Sequence, residues 1–425
     1  MTMAPVISII GGTIWGNRGA ESMLVTTIGR LRGTFPDARF NVFSYYPAKD
    51  RELIKDDHIT ILSGKPLSLS TRHFFGALVG AGCKKIGVGI PKGEFFNITR
   101  ALAASDMLLD IGGITFSDGR EKYLPFNILS VWPAMLLGVP VVKMAQAVGP
   151  FTKPLNRFFA KLFLFPCNHI FARGEKTAEF LHKFNYPKDK FDTVADIAFL
   201  YQPEFSLSNE NEDRINSLIV SLQVVRKQGK KVIVFSPSIL VDSESQKKGL
   251  DYTGRFLDVI KTLGSEDFHF VFIPNATREG SEKVHNNDLV TLFQMKTAWE
   301  VAQIEDNLSG EVDWVDYDIN TSSIRQIISQ ADVLVTSRYH AMISGLALDI
   351  PTIVIGWGHK YKETMAYFGL EEFSLDFGAG DTDLSAIISK ILQSPKTFKD
   401  KIKKNLPYVR SLAEKQFDYL KRVLS

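Results

Sequence analysis

Three basic or titratable side chains follow two neighbouring apolar runs in the C-terminal half of the chain. One run ends at Thr336, and Arg338 and His340 come directly after it, at the start of a predicted helix. The next run leads to Lys360. Because a helix N-terminus favours an anion, we interpret Arg338 and Lys360 as partners of a phosphate or carboxylate. A histidine side chain can give or take a proton near neutral pH, so His340 is the candidate proton donor or acceptor, with a purely structural histidine as the alternative.

A further arginine, Arg173, stands at the end of the apolar run 169–172. A planar guanidinium matches a carboxylate or phosphate in bidentate fashion, and it is costly to bury without an anionic partner. Arg173 is therefore a second candidate for anion binding. The alternative is a structural ion pair with an acidic side chain nearby.

Three loops that contain glycines or polar side chains follow other apolar runs. A glycine lets a ligand approach the backbone closely. The first, residues 11–21, is glycine-rich but lacks the GxGxxG and Gly-Lys-Ser/Thr patterns of nucleotide-binding loops, and a tight strand–helix turn is its alternative. In the second loop an aspartate could accept a hydrogen bond from a sugar hydroxyl or simply cap a helix. In the third, an amide suits a hydroxyl or carboxylate. The acceptor-side candidates in these loops are Asn17, Glu21, Gly112, Gly113, Asp118 and Gln146.

The elements that must position these residues are short Val/Ile-rich runs that alternate with helix-length segments. Runs that are apolar on both faces predict parallel strands in an α/β protein. Helices are predicted directly after residues 16–19 and over residues 175–184, and bound ligands are expected at the carboxyl ends of the strands. The predicted strands are residues 6–10, 40–44, 107–111, 139–144, 169–172, 231–236, 269–273, 333–336 and 352–355.

A polar, aperiodic stretch at residues 202–213 predicts a boundary between two α/β halves. We expect a domain at residues 1–205 on the acceptor side and a domain at residues 214–400 on the donor side. Residues 401–425 are predicted as a charged helix that packs back on the first domain. Two such sheets are expected to face each other across a cleft.

Composition narrows the class of protein. The chain has 425 residues with 45% hydrophobic and 23% charged residues, as in soluble globular proteins, and its net charge of +3 is far from that of a nucleic-acid binder. Two cysteines argue against a disulfide framework, and no run reaches the ~18 apolar residues of a membrane span. A cytoplasmic location is expected, with at most a peripheral contact to the inner face of the membrane. Residues 158–165 are predicted as a buried helix, with a membrane-touching surface as the alternative.

The ordered set of motifs resembles the polysaccharide pyruvyl transferase family over roughly residues 6 to 365. The C-terminal part of the resemblance is Ser337-Arg-Tyr-His-Ala341 with the run from Pro351 to Lys360. The N-terminal part comprises the segment 16–21, Gly112-Gly113, the segment 146–150, Ala172-Arg-Gly-Glu175 and Asp196. The resemblance implies a fold with two Rossmann-like domains like that of GT-B glycosyltransferases. It also implies that Arg173, Arg338, His340 and Lys360 hold phosphoenolpyruvate as the donor.

The implied reaction forms a pyruvate ketal on sugar hydroxyls during polysaccharide biosynthesis, with a free or lipid-linked saccharide as acceptor and no metal or other cofactor. The chain departs from the family pattern at Ala20, Ile114 and Gly174, mainly on the acceptor side. Two alternatives stay open: a GT-B glycosyltransferase that uses a nucleotide sugar, and a non-catalytic carbohydrate-binding relative.

Overall fold

The chain forms two compact α/β units. The computed structural model describes residues 4–203, 207, 210–264, 266–278, 286–305, 310–357, 359–378 and 382–425. As far as described, the first unit spans Met1–Trp15, Ala20–Ser208 and Arg410–Ser425. The second unit spans Gly16–Gly19 and Asn209–Val409.

The first unit is built on a seven-stranded sheet in which all neighbouring strands are parallel. The strand order is β3-β2-β1-β4-β5-β6-β7, so the chain reverses its direction of travel across the sheet between β1 and β4. The strands are β1 (Val6–Ile10), β2 (Arg39–Ser44), β3 (Ile59–Ser63), β4 (Met107–Asp110), β5 (Val141–Gln146), β6 (His169–Arg173) and β7 (Phe191–Val194).

In the described part of this unit, nine helices are associated with these strands: α1 (Arg18–Thr34), α2 (Pro47–Leu53), α3 (Pro66–Ser68), α4 (Phe74–Lys85), α5 (Asn97–Ala103), α6 (Leu124–Leu129), α7 (Trp132–Leu137), α8 (Pro154–Leu164) and α9 (Glu175–Lys183). Short 3₁₀ turns lie at Glu94–Phe96, Glu121–Tyr123, Lys188–Lys190 and Ile197–Leu200, and a π-helical turn lies at Leu69–His73. One apolar core joins the inner sides of α4, α7 and α8 through Ala77, Ala134 and Phe163.

The second unit repeats the design with a six-stranded parallel sheet in the order β10-β9-β8-β11-β12-β13. Its strands are β8 (Lys231–Ser236), β9 (Phe268–Phe272), β10 (Val312–Trp314), β11 (Val333–Thr336), β12 (Thr352–Gly356) and β13 (Ser374–Asp376). Its helices are α10 (Glu212–Lys227), α11 (Ile239–Lys247), α12 (Tyr252–Leu263), α13 (Asp288–Glu305), α14 (Thr321–Ser329), α15 (Tyr339–Ala347), α16 (His359–Ala366), α17 (Leu384–Gln393) and α18 (Pro395–Leu424), with a 3₁₀ turn at Glu371–Phe373.

Both sheets have the Rossmann strand order, which confirms the predicted α/β class with two parallel-sheet units. In such sheets ligands bind at the carboxyl ends of the strands where the strand order reverses. That point lies between β1 and β4 in the first unit and between β8 and β11 in the second. The loops that follow the carboxyl ends of these four strands are therefore the expected ligand-binding positions of the two units.

The end of α18 belongs to the first unit. The backbone N–H of Ala145 donates to Gln416 Oε1 over 2.9 Å, and Gln416 Nε2 donates to the carbonyl of Ala195 over 3.1 Å. The Tyr419 ring lies 4.5 Å from the His169 ring, centroid to centroid. The last turns of the chain are thus fixed to strand β5 and to the loop after β7.

Residues 158–165 were predicted as a buried helix, and the structure confirms the helix but buries only one side of it. These residues form most of α8, and its inner side is buried through Ala160, Phe163 and Leu164. Its outer side leaves Phe158 62% and Leu162 51% exposed. A helix that is apolar on both sides can bury only the side that meets the sheet. Within the described residues, no helix combines the length and hydropathy that a membrane crossing requires.

Candidate active site

The loop after β11 places Arg338 at the carboxyl ends of the strands of the second sheet. Its backbone N–H donates to Thr336 Oγ1 over 2.9 Å, and its extended conformation lets it act as the N-cap residue of α15. Ser337 is held by its N–H, which donates to the Ser236 carbonyl at the end of β8 over 3.0 Å. Ser236 and Thr336 end the two strands between which the strand order reverses. Arg338 therefore stands where this fold class binds ligands.

The Arg338 guanidinium is oriented by a buried acid. Its Nε and Nη2 both donate to Asp288 Oδ1, the first over 3.1 Å, and its Nη1 donates to Asn286 Oδ1 over 2.8 Å. Three of the five N–H donors are used in this way, and the other two have no partner among the described residues. Arg338 is therefore both ion-paired and able to offer a fork of donors to an oxyanion.

Asp288 opens α13 and is completely buried. It accepts backbone hydrogen bonds from Asn275 and Ala276 at Oδ2, over 3.1 and 2.8 Å, and from Ile239 at Oδ1 over 3.1 Å. A carboxylate held by three N–H groups and an arginine is a fixed negative charge that sets the position of the guanidinium. Sequence reasoning missed Asp288 because it lies 50 positions before Arg338, after no apolar run.

Lys360 belongs to the same cluster through two tyrosines. Its Nζ lies 4.9 Å from the centroid of the Tyr339 ring and 5.1 Å from that of Tyr361. The Tyr361 hydroxyl donates to the Ser337 carbonyl over 3.1 Å. Burial raises the pKa of Tyr361 to about 12, while the charge of Arg338 acts in the opposite direction. The structure thus brings Arg338 and Lys360 together around one buried, neutral phenol.

A second tyrosine fixes the Ser337 side chain. The Tyr252 hydroxyl donates to Ser337 Oγ over 2.6 Å and accepts from the Ser238 N–H over 3.1 Å. Burial raises the pKa of Tyr252, so that it stays a neutral donor. Ser236 Oγ is buried and has no hydrogen-bond partner among the described residues. Hydroxyl groups therefore lie around the carboxyl ends of β8 and β11, next to Arg338.

His340 lies in the first turn of α15 and packs against a segment from the start of the chain. That segment, Gly16–Gly19, belongs to the second unit. Arg18 Nη2 donates to Asp318 Oδ1 over 2.7 Å, and Thr321 Oγ1 donates to the Arg18 carbonyl over 2.9 Å. A Cβ built on Gly19 would lie 2.2 Å from His340 Nδ1. Only a residue without a side chain fits beside this imidazole.

Asn17, predicted on the acceptor side, lies in that segment, where its Oδ1 accepts from the Gly19 N–H over 3.0 Å. Glu21, the other candidate in this loop, is fully buried and belongs to the first unit. The two residues are therefore divided between the units, although only four positions separate them. Arg18, which anchors the segment, was not among the predicted site residues.

Arg173 ends β6 in the first unit. Its Nη1 donates to Asp196 Oδ2 over 2.7 Å, and its Nη2 donates to the Gly113 carbonyl over 3.0 Å. Asp196 is buried, and its other oxygen accepts from the Ala198 N–H over 2.9 Å. A Cβ on Gly113 would lie 3.4 Å from Nη1, so glycine leaves room for the guanidinium. The predicted residues Arg173 and Gly113 are thus in direct contact.

Gln146 is completely buried near them, and its amide is bonded inside the protein. Its Nε2 donates to the carbonyls of Asp110 and Met144 over 3.0 and 3.2 Å, and its Oε1 accepts from Thr115 Oγ1 over 2.7 Å. Gln146 therefore ties the end of β5 to the loop that carries Gly112 and Gly113.

Asp118 is a helix-anchoring residue in the structure. Its carboxylate accepts from the N–H groups of Thr152 and Lys153, from Thr152 Oγ1 and from Asn156 Nδ2. Burial tends to raise the pKa of Asp118, but the hydrogen bonds from Thr152 and Asn156 outweigh it, and the pKa is lowered. Its carboxylate thus fixes the start of α8.

Asp50 is an acid that the sequence reasoning did not single out. It lies in α2, is fully buried, and accepts from Thr13 Oγ1 over 2.9 Å and from the Trp15 N–H over 2.8 Å. Burial raises the pKa of Asp50 against the lowering effect of these hydrogen bonds. Asp50 holds the glycine-rich loop after β1 in place. Its only sequence signal is an acid in a short helix that follows β2.

With this geometry in view, comparison with known proteins decides the family. A sequence model of the polysaccharide pyruvyl transferases matches residues 17–359. The chain belongs to the polysaccharide pyruvyl transferase family. The predicted family is thus confirmed, and the match contains Arg173, Arg338 and His340 and ends at the residue before Lys360. Polysaccharide pyruvyl transferases take part in polysaccharide biosynthesis as transferases, which is therefore the general class of this chain.

One sequence relative and two solved structures are similar to this pyruvyl transferase family member. The chain is 21% identical to the amylovoran biosynthesis protein AmsJ of Erwinia amylovora, over 96% of this chain and 97% of AmsJ. Its fold is similar to that of MnaA from S. aureus, solved with UDP, with 12% identity, a TM-score of 0.58 and coverage of 99% and 97%. UDP-GlcNAc 2-epimerase from Neisseria meningitidis, bound to UDP-GlcNAc, gives 12% identity, a TM-score of 0.57 and 98% coverage of each chain. These likenesses confirm the predicted GT-B-like fold.

Proposed function

We propose that the protein is a ketal-forming pyruvyltransferase that takes phosphoenolpyruvate as donor and the hydroxyls of a saccharide as acceptor. The observation that carries this proposal is the Arg338–Lys360 cluster at the sheet edge of a pyruvyl transferase family member. Two cations held within one cluster suit a small donor that bears both a phosphate and a carboxylate. A neutral donor has no anionic group that these two cations could bind.

Arg338 is the proposed oxyanion ligand, since Asp288 and Asn286 fix its guanidinium and two of its N–H donors have no partner in the part of the chain that the structure describes. Lys360 supplies a second positive charge over the rings of Tyr339 and Tyr361. Arg173 is the proposed contribution of the first unit, with Asp196 as the acid that orients it. Gly112 and Gly113 belong to the proposed acceptor side, with Asn17, Glu21, Asp118 and Gln146 as the other candidates.

The proposed reaction begins with protonation of the donor's methylene carbon, which makes the adjacent carbon electrophilic. A sugar hydroxyl attacks that carbon and gives up its proton. A second hydroxyl of the same acceptor then forms the second C–O bond as the C–O bond to phosphate breaks. One hydroxyl proton balances the proton taken up by the new methyl group, and the other leaves with inorganic phosphate. His340 is the proposed proton carrier, a role that typically accelerates a reaction about 10²–10⁴-fold.

Ligand-dependent thermal unfolding separates the proposed donor from its rival. Phosphoenolpyruvate should raise the unfolding midpoint of the full chain, because a ligand that binds only the native state stabilises it. UDP-glucose and UDP-N-acetylglucosamine should leave the midpoint unchanged. A shift with a nucleotide sugar alone would favour the glycosyltransferase. No shift and no turnover with any donor would favour a non-catalytic relative.

Turnover is measured as phosphate release from phosphoenolpyruvate with a panel of free and lipid-linked glycosides. Mass spectrometry then identifies the acceptor that has gained one pyruvate ketal. EDTA should not lower the rate, because the proposed reaction uses no metal ion. Full loss of activity in EDTA, restored by a divalent cation, would refute that part of the proposal.

Matched variants test the two named residues of the second unit. Lys360→Gln should weaken phosphoenolpyruvate binding at least tenfold, whereas Lys362→Gln, an exposed lysine of the same helix, should have no effect. His340→Ala should lower the turnover number about 10²-fold or more with little change in the midpoint shift caused by phosphoenolpyruvate. Near-normal turnover of His340→Ala would remove this residue from the mechanism.

A further inference from the structure

Exposed apolar side chains are concentrated in two short stretches of the first unit. Residues 65–100 and 151–165 make up about an eighth of the chain, yet they hold ten of the twenty exposed large apolar side chains among the described residues. Single exposed apolar residues are ordinary, but a contiguous group of them marks an interaction surface. The ten are Leu67, Phe75, Leu78, Val79, Ile86, Val88, Phe95, Leu155, Phe158 and Leu162.

The spacing of these residues gives two helices an apolar outer stripe. In α4, Phe75, Leu78 and Val79 are 54%, 42% and 43% exposed, while Ala77 and Gly80 on the other side are buried. In α8, Leu155, Phe158 and Leu162 recur at intervals of three and four, as one helix face requires. Both helices therefore carry an apolar face beyond the one that the core uses.

The two stripes project from the same side of the unit. Trp132 of α7 lies between the helices, with its ring 4.7 Å from Phe74 of α4 and 5.4 Å from Phe163 of α8, centroid to centroid. The inner faces of all three helices share one core. The strand residues of that core, such as Ile10, Leu108 and Ile170, lie on one face of the sheet, so α4 and α8 cover the same face and their outer sides point away from it. We call this surface, made of the ten residues above, the α4–α8 surface.

The two segments that carry the α4–α8 surface are basic in composition, and the acids Asp118 and Glu121 lie beside the start of α8, where Glu121 pairs with Lys153. Residues 65–100 contain six Lys or Arg and one acid, Glu94, which is paired with Arg72; residues 151–165 contain three basic residues and no acid. These segments thus carry +5 and +3 in a chain whose net charge is +3, so the remaining residues together carry −5. Basic side chains flanking the apolar stripes, such as Lys85, Lys92 and Lys161, are exposed.

We propose that the α4–α8 surface docks on an anionic lipid bilayer. Apolar stripes enter the boundary between headgroups and acyl chains, and the surrounding lysines and arginines bind the lipid phosphates. This combination of exposed aromatic and aliphatic side chains with an excess of cations is complementary to such a membrane. A second copy of the chain fits less well, because pairing two such surfaces would bring like charges together.

Vesicle binding of the full-length protein tests the proposal. Co-sedimentation is measured with vesicles of phosphatidylglycerol and phosphatidylcholine and with vesicles of phosphatidylcholine alone. We expect binding to the anionic vesicles that weakens as salt is raised. Neutralising two lysines, in Lys85→Gln/Lys161→Gln, should weaken it about 30-fold, since each lysine near the surface contributes about fivefold. The matched control is Lys227→Gln/Lys403→Gln, two exposed lysines of the second unit.

The apolar part is tested with Phe158→Glu/Leu162→Glu, which should weaken binding at least tenfold. Val220→Glu/Val224→Glu on α10 is the control, with residues that are 59% and 48% exposed. Circular dichroism and thermal unfolding verify that every variant is folded, and sedimentation velocity reports self-association. Equal binding to both vesicle types, no vesicle binding, or a dimer that Phe158→Glu/Leu162→Glu dissociates would each overturn the proposal.

Discussion

Gly19 and the imidazole of His340 touch within the second unit, so closely that a Cβ on Gly19 would lie 2.2 Å from Nδ1 and 2.7 Å from Cγ. Real Cβ atoms do not come this near to another heavy atom. The absence of a side chain at position 19 therefore decides where the His340 ring can lie. Since Gly19 ends the segment that Arg18 anchors to Asp318, the start of the chain sets the position of a residue 321 positions further along.

Gly19→Ala should displace the His340 ring and destabilise the fold by about 1–3 kcal/mol, as an added methyl group does in a packed site. If His340 carries a proton in the reaction, turnover should fall more steeply than donor affinity. Steady-state kinetics and urea unfolding measure the two effects. Gly33→Ala in the same helix is the control, because nothing lies within 4 Å of a Cβ built there. Unchanged stability and turnover in Gly19→Ala would contradict the contact.

Asp288→Asn should destabilise the protein by about 3–5 kcal/mol, because it leaves the Arg338 guanidinium without its charged partner in a buried site. Urea unfolding measures the loss. Arg338 should also lose its fixed orientation, so phosphoenolpyruvate should no longer raise the thermal midpoint. The control is Lys247→Gln, which breaks an ion pair with Glu244 whose side chains are 68% and 45% exposed. That change should stay within about 0.5 kcal/mol.

Lys143 and Asp110 form an ion pair in which both side chains are buried, on the neighbouring strands β5 and β4. Lys143→Met should cost about 3–5 kcal/mol, because Asp110 is left as an uncompensated buried charge. Asp110→Asn retains the oxygen that accepts from the Gly112 N–H over 2.9 Å. The double variant Lys143→Met/Asp110→Asn should therefore recover most of the loss in urea unfolding. A double variant as unstable as the sum of the single variants would show that the pair is not coupled.

His73 should make the protein sensitive to acid. Burial lowers the pKa of His73 from 6.5 to about 4, although its hydrogen bond to the Ser63 carbonyl acts against this. The unfolded chain takes up a proton near pH 6.5 that the folded chain takes up only near pH 4, so stability falls as the pH drops through this window.

His73→Gln should remove up to about 3 kcal/mol of that pH-dependent loss. Unfolding free energies measured between pH 4 and pH 7 report the slope, with His58→Gln at an exposed histidine as the control. An identical slope in His73→Gln and the parent protein would show that another group is responsible.

The strands show where sequence reasoning succeeds. All nine apolar runs that were predicted as strands are strands, and each is an interior strand of one of the two sheets. Among the described residues, four further strands were not predicted, and these, β3, β7, β10 and β13, are the edge strands of the two sheets. An interior strand of a parallel sheet is covered on both faces and reads as a continuous apolar run. An edge strand such as Val312–Trp314 is only half-buried and carries no such signal.

The sequence indicated the helices and their buried sides less clearly than the strands. Residues 244–247 are all polar, but they belong to the helix Ile239–Lys247, which buries Val241 and Ser245. The outer stripe of α8 was expected to be buried, because an apolar residue type indicates neither which side of a helix meets a sheet nor what the other side meets. Periodicity describes a face, and only packing assigns that face a neighbour.

By itself the sequence determined the family, the alternation of strands and helices, and the strand ends at which Arg173, Arg338 and Lys360 stand, since these follow from local patterns. The tertiary structure alone decided the partners. Asp288 lies 50 positions from Arg338, and Asp318 lies 300 positions from Arg18. Contacts over such separations depend on how loops from different strands pack at one sheet edge, and no local spacing of residue types encodes that.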